Sequence, residues 1–274
     1  MDIKDKKWFR LVFYLFLIIS LLCACQQKNT TENNDFKKII IGIDKFEPYT
    51  YLDVDGNYTG VDIEIATKVF HKLGYEPEFK IIPWNEKNAY LDDGTIDCIW
   101  SCYSMNEREN DYQWAGPYLY SRQVIAVRSD SDIWNFNDLA GKRVGVQTTT
   151  RAANLFLHTI ESPLPTVKEV NCFSTTEDMF AAMRKDYVDA ISGHEALLNE
   201  FIKNGDGEYR LLEESPHVSK AGVAFKKGTH VELTKEISKL IKQMSEDGTI
   251  GEIAQKYGLD ESKVVVEGGD LNEE

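Results

Sequence analysis

Cysteine is scarce in this chain, with 5 among 274 residues. Beyond residue 25 only Cys98, Cys102 and Cys172 remain. They form no C-x-x-C pair and have no histidine at metal-ligand spacing, which argues against a zinc site and a disulfide framework. Cys98 and Cys102 fall in one extended stretch, too far apart to bridge, and the thiols are expected to be free and buried. Positive charge is also short: 31 Lys and Arg stand against 45 Asp and Glu, a formal net charge of −14. That balance argues against nucleic-acid partners and against a polybasic membrane patch. A membrane-spanning run is missing too, because the apolar stretch from Leu11 to Leu22 has about a dozen residues where a bilayer needs about 20. No nucleophile elbow or phosphate loop is visible, and Gly145-Val146-Gln147-Thr148 lacks the glycine spacing of a nucleotide cradle. No cofactor, metal or catalytic set is implied.

What is present begins with a processing signal. Lys4, Lys6, Lys7 and Arg10 precede the apolar run, the pattern of an export signal. The run ends in Leu22-Cys23-Ala24-Cys25, which resembles a bacterial lipobox, although Cys23 stands where a small hydroxyl or aliphatic residue is commoner. Residues 1–24 are therefore expected to be a lipoprotein signal peptide, with Cys25 carrying the lipid; ordinary secretion is the alternative. Gln26 to Asp35 contains no apolar residue, so residues 25–35 are expected to be a flexible tether.

The remainder reads as two copies of one supersecondary unit. The first runs strand Lys38 to Ile43, helix Asp62 to Leu73, strand Glu78 to Ile82, helix Glu86 to Leu91 and strand Ile96 to Trp100. The second runs strand Arg143 to Gln147, helix Arg151 to Ile160, strand Thr166 to Cys172, helix Thr176 to Lys185 and strand Val188 to Ser192. Ser174-x-x-Glu177 has capping-box spacing. The copies also match in residues: Ile41-Gly42-Ile43-Asp44 parallels Val144-Gly145-Val146-Gln147, and Ile96-Asp97-Cys98-Ile99 parallels Val188-Asp189-Ala190-Ile191. Gln123 to Arg128 and Lys220 to Phe225 read as strands crossing between the copies. Helices Val231 to Asp247 and Ile250 to Tyr257 then return to the first. The expected fold is α/β and two-lobed, each lobe a mostly parallel sheet flanked by helices, joined by a two-strand hinge. Lobe 1 is expected at residues 36–122 and 221–274, and lobe 2 at 123–220.

In open parallel sheets ligands collect beyond the carboxyl ends of strands, which brings Asp44, Trp84, Ser101 to Ser104, Gln147 to Arg151 and His194-Glu195 toward one cleft. Arg108 lies just past a strand end, where a guanidinium can grip a ligand carboxylate with two bonds. The alternative is a surface arginine paired with Glu107 or Glu109. Thr148, Thr149 and Thr150 precede a helix and can offer N–H groups to the same carboxylate, or simply cap the helix. Phe46, Tyr49, Trp84 and Tyr103 are candidate walls. His71, His217 and His230 carry no assigned role.

Several motifs in order, Glu47-Pro48-Tyr49, Gly60-Val61-Asp62-Ile63-Glu64-Ile65-Ala66, Glu107-Arg108, Ala115-Gly116-Pro117-Tyr118, Asp138 to Gln147 and Asp247-Gly248-Thr249, make Lys38 to Leu259 resemble the family 3 extracellular solute-binding proteins. That family has the type II periplasmic-binding-protein fold and serves ABC importers of polar amino acids. The resemblance implies an extracytoplasmic, lipid-anchored, monomeric protein that binds an amino acid and meets ABC permease subunits. It implies Arg108 with Thr150 and Arg151 at the ligand carboxylate, Ser104 with Ser101 or Cys102 at the ammonium, Asp44 facing the ligand side chain, and Phe46 and Trp84 flanking it. Gln147 stands where several members have lysine, and Cys102 where glycine is common. His194 occupies the place of an ammonium-binding aspartate, with Glu195 beside it as the other candidate. The same fold also resembles periplasmic cyclohexadienyl dehydratases, so an enzyme is a rival expectation, and a ligand-sensing domain a weaker one.

Overall fold

Alternation of Ile39, Ile41 and Ile43 carries β1 (Lys37–Ile43) into a core, and the burial of its second half on both faces marks a central parallel strand. The computed structural model describes residues 36–158, 162–205 and 208–265. The export-signal, lipid-anchor and tether expectations lie outside them. After β1 come the hairpin strands β2 (Tyr51–Leu52) and β3 (Tyr58–Thr59), helix α1 (Val61–Lys72), strand β4 (Tyr75–Ile81), helix α2 (Lys87–Asp92) and strand β5 (Cys98–Ser104). A long strand, β6 (Tyr112–Arg128), then leaves for the second lobe.

That lobe repeats the order as β7 (Arg143–Gln147), α3 (Arg151–Leu157), β8 (Glu169–Phe173), α4 (Thr176–Arg184) and β9 (Ala190–His194), and adds α5 (Glu195–Lys203) and β10 (Tyr209–Leu211). Strand β11 (His217–Lys226) returns, followed by α6 (Val231–Glu246), α7 (Thr249–Lys256) and α8 (Glu261–Val264). The sheet order β4-β1-β5-β11-β6-β9-β7-β8, with β10 on β6, shows the repeat directly. In each lobe the first strand of the unit lies parallel between the second and third. β11 and β6 are the antiparallel pair that joins the lobes. The fold is two-lobed α/β of type II.

Local chemistry explains the geometry near the cleft. Gly60 has φ 124°, and a Cβ there would sit 2.2 Å from the Tyr49 carbonyl oxygen, so only glycine fits where α1 starts against the preceding turn. The first helical N–H groups are taken by carbonyls of that turn, Val61 to Pro48 and Asp62 to Tyr49, which satisfies donors a helix start leaves open. The β6–β11 ladder shifts register between Ala221 and Val223. A Cβ on Gly222 would meet Met105 at 2.6 Å, so the bulge depends on the missing side chain.

The first-lobe core buries Phe70, Trp100 and Phe225 completely, with Phe70 and Trp100 edge to face at 5.7 Å. Each such side chain contributes roughly 1.5–3 kcal/mol by burial. Ile237, Ile241 and Met244 form one face of α6 against that core.

Several expected boundaries move. The crossing strand expected at Gln123 begins at Tyr112, because pairing with β11 already runs from Tyr112 to Gln123. β5 continues through Ser104, so residues expected beyond the strand end lie within it. β9 ends at His194 rather than Ser192. Thr175, not Ser174, caps α4: its Oγ1 accepts from the Asp178 N–H at 3.1 Å. Cys98 and Cys102 are buried free thiols, but Cys172 is exposed because β8 is the outermost strand of its lobe. Among the described residues no helix is long and apolar enough to cross a membrane.

Candidate functional site

The carboxyl ends of β1, β5, β7 and β9 converge on one cavity between the lobes, with about 520 Å³ of space between atoms, part of it open to solvent. At the end of β1, Asp44 is held by its backbone: its N–H donates to Ser101 Oγ at 3.2 Å, and its carbonyl accepts from Thr50 Oγ1 at 2.8 Å. Its carboxylate accepts from Gln147 Nε2 at 2.6 Å, a bond that crosses between the lobes. Burial, opposed by the Gln147 and Lys45 hydrogen bonds, raises the Asp44 carboxyl to about 6.

β5 supplies Ser101, Cys102 and Ser104 to the lining, with Tyr103 between. Cys102 has φ 44°, a left-handed conformation costly for a side chain with a Cβ. Its N–H is held there by Asp62 Oδ2 at 2.5 Å and Tyr118 Oη at 3.0 Å, while the Tyr118 hydroxyl donates to the same Asp62 oxygen at 2.7 Å. Asp62 is fully buried, and desolvation lifts its carboxyl to about 7 against those two hydrogen bonds. Arg108 follows one turn later, 8% exposed. It donates from Nη1 to the Ser104 carbonyl at 3.2 Å, with its guanidinium 5.2 Å from the centre of the Tyr103 ring.

From the second lobe, Thr150 caps α3: its Oγ1 accepts from the Ala153 N–H at 3.2 Å and donates to the Gln147 carbonyl at 2.6 Å. Arg151, also on the lining, forms an ion pair with Glu107 of the first lobe. His194 closes the cavity floor. Its Nδ1 lies 2.9 Å from Ser121 Oγ and 3.2 Å from Gln123 Nε2, and its ring meets Phe46 edge-on at 5.2 Å. Burial first, then repulsion from the neighbouring His217 and Arg108, drops His194 to about 3, so the ring is neutral near pH 7.

Of the residues expected at the ligand, Asp44, Phe46, Trp84, Ser101, Cys102, Ser104, Arg108, Gln147, Thr150, Arg151 and His194 line this cavity, whereas Thr148, Thr149 and Glu195 do not. Glu195 lies outside it. As the first residue of α5 it turns toward Arg122 at 3.2 Å and Lys263 at 3.9 Å. Tyr49 is buried beside the cavity rather than on its wall.

Sequence reasoning missed Gln123, Thr176, Met179, Ser192, Gly193 and Leu197. Gln123 opened an expected crossing strand and Ser192 closed an expected parallel one, which was signal enough. It also missed Lys87, buried at 3% exposure, whose Nζ donates to Thr149 Oγ1 at 2.7 Å and sits 4.7 Å from the Trp84 ring centre. Desolvation first and Arg108 second lower that ammonium to about 7; nothing in the local sequence marks it. Lys87–Thr149, Asp44–Gln147 and Glu107–Arg151 all join one lobe to the other, so the cleft is closed. Among the described residues no acidic, histidine and cysteine group could hold a metal ion.

Two lobes of one sheet, bridged by paired strands around an interlobe cavity with a buried guanidinium, are the architecture of a type II binding-protein fold. The chain belongs to the bacterial extracellular solute-binding proteins, family 3, whose profile matches residues 39–260. It is 27% identical over 270 residues to the L-cystine-binding protein TcyA of Bacillus subtilis (strain 168), covering 91% of this chain and 97% of that one. It superposes with TM-score 0.74 and 28% identity on an ABC uptake transporter substrate-binding protein from Streptococcus pneumoniae with bound histidine, over 85% of this chain and 96% of that one. An ancestral arginine-binding protein bound to arginine gives TM-score 0.73 and 26% identity, over 81% and 98%.

Proposed function

We propose that this protein is the extracytoplasmic substrate-binding component of an ABC importer for a polar amino acid, which it captures by hinge closure and delivers to permease subunits. The observation that carries this reading is Arg108, a buried guanidinium with no described carboxylate at ion-pair distance, in a cavity whose walls come from both lobes. A ligand carboxylate answers that charge with two parallel bonds, and contacts to both lobes favour the closed state. Family membership and relatives that bind amino acids support the same reading.

The protein binds without turnover, as a monomer, with lobe 1 at residues 36–122 and 221–274 and lobe 2 at 123–220. Export through residues 1–24 and a lipid on Cys25, followed by the tether to residue 35, would hold it at the cell membrane beside its permease. Thermal-shift screening of the twenty amino acids and cystine tests the central claim, because a ligand of the native state raises the melting temperature by mass action. At least one should raise it and be recovered chemically intact; no shift from any of them would overturn the reading. Mass spectrometry of the membrane fraction should find the lipid on an N-terminal peptide beginning at Cys25.

A further inference from the structure

The charges around this cavity do not balance. Asp44 is the only acidic side chain on the described lining. Both its oxygens are engaged, Oδ1 by the Lys45 N–H at 2.8 Å and Oδ2 by Gln147 Nε2 at 2.6 Å. Against it stand two cations on the lining, Arg108 and Arg151, and behind the lining Lys87, with Glu177 also within electrostatic reach of Asp44. Arg151 is paired with Glu107 at the rim. Arg108 and Lys87 are both buried, and neither has a described carboxylate at ion-pair distance; their bonds go to the Ser104 carbonyl, the Trp84 carbonyl and Thr149 Oγ1. Lys87 lies within electrostatic reach of both Asp44 and Arg108, and a ligand anion beside it would favour its charged form.

Hydrogen-bonding capacity is lopsided in the same direction. Trp84 Nε1 and Arg151 Nε are buried donors without a partner, against one such acceptor on the lining, Gln123 Oε1. Burying a further positive group here adds like-charge repulsion where water cannot screen it, whereas a negative one supplies the missing counter-charge. Donors left without acceptors penalise the wrong ligand as much as pairing rewards the right one.

We propose, building on the solute-binding reading above, that the cavity selects small carboxylic acids of net negative charge, with one carboxylate at Arg108 and a second acceptor group toward Lys87 and Trp84, and discriminates against cationic amino acids. An amino dicarboxylic acid and an N-acylated amino acid share that chemistry.

Isothermal titration of the purified protein with L-glutamate, N-acetyl-L-glutamine, L-glutamine and L-arginine at one ionic strength separates the cases. At least one of the two anions should bind about ten-fold or more tighter than L-glutamine, with L-arginine weakest, since about 1.4 kcal/mol is a decade. L-arginine or L-glutamine binding as tightly as the better anion would overturn the proposal while leaving the solute-binding function standing. No binding by these four together with no thermal shift from any of the twenty amino acids would remove both. Lys87→Gln, checked for folding by circular dichroism, should weaken the better anion by about ten-fold and L-glutamine by less than about three-fold. Unchanged anion affinity in the folded variant overturns the role of Lys87; if the variant does not fold, the wild-type series decides.

Discussion

The two lobes share a staple and differ in what they bring to the cleft. In the first, Asp97 Oδ2 accepts from the Ile40 N–H at 2.7 Å and the Asp97 N–H donates to the Ile40 carbonyl at 2.8 Å. In the second, Asp189 does the same to Arg143, with the same 2.7 and 2.8 Å. Asp189 additionally takes the Arg143 guanidinium at 2.6 Å. At the other end of the same strands, equivalent positions meet: Asp44 of one lobe and Gln147 of the other are joined by a single hydrogen bond. Beyond these, the asymmetry is large. The first lobe holds the unpaired buried cations and the aromatic walls; the second offers a capped helix, a neutral histidine and an arginine already paired. On the proposed function, matching scaffolding with unequal chemistry would make the first lobe the binding platform and the second the cover.

That contrast breaks most visibly at Arg108. Arg108→Ala should cost about 2–5 kcal/mol of binding, roughly 30-fold or more in affinity for whichever amino acid gives the largest thermal shift. Arg108→Lys should recover only part of it, since an ammonium keeps the charge and loses the planar fork. Calorimetric titration measures both, and circular dichroism of the free variants should match wild type because a cleft arginine supports no core. Affinity within a factor of about two of wild type in Arg108→Ala would move the carboxylate grip elsewhere on the lining.

The buried acids of the first lobe and the buried histidine of the second should also titrate in opposite senses. Asp62 and Asp44 in the first are raised from 3.8 to about 7 and about 6. Their contribution to stability is full below the unfolded value and is lost as pH rises through those folded values. His194 in the second is lowered from 6.5 to about 3, so its contribution is full above the unfolded value and is lost as pH falls toward the folded one. Urea midpoints measured across about pH 3 to 8 should therefore show that Asp62→Asn flattens the decline toward neutral pH and His194→Gln flattens the decline toward acid. Parallel profiles for both variants and wild type would refute the opposition.

The smallest effect belongs to the cross-lobe pair. Gln147→Ala removes one hydrogen bond from the closed cleft, about 0.5–1.5 kcal/mol, and should weaken ligand binding by only about three- to ten-fold. A loss as large as that of Arg108→Ala would mean that the second lobe is no mere cover.

Much of this was legible in the residues. The repeat Ile41-Gly42-Ile43-Asp44 and Val144-Gly145-Val146-Gln147 carries strand periodicity and a terminal polar group, and local pattern alone encodes both. Arg108, Thr150 and His194 sit just past or at strand ends, so parallel-sheet topology converts their sequence positions into one cleft. What only the tertiary structure decided depends on contacts far apart in the chain. Whether His194 or its neighbour faces the cavity turned on Arg122 and Lys263 drawing Glu195 away. The left-handed Cys102 is held by Asp62, 40 positions earlier. The buried Lys87 finds its hydroxyl partner in Thr149 across the cleft, 62 positions later. Periodicity reports which face of an element is apolar; it carries no information on which distant partner will remove a charge from water, and that removal is what sets the electrostatics of the site.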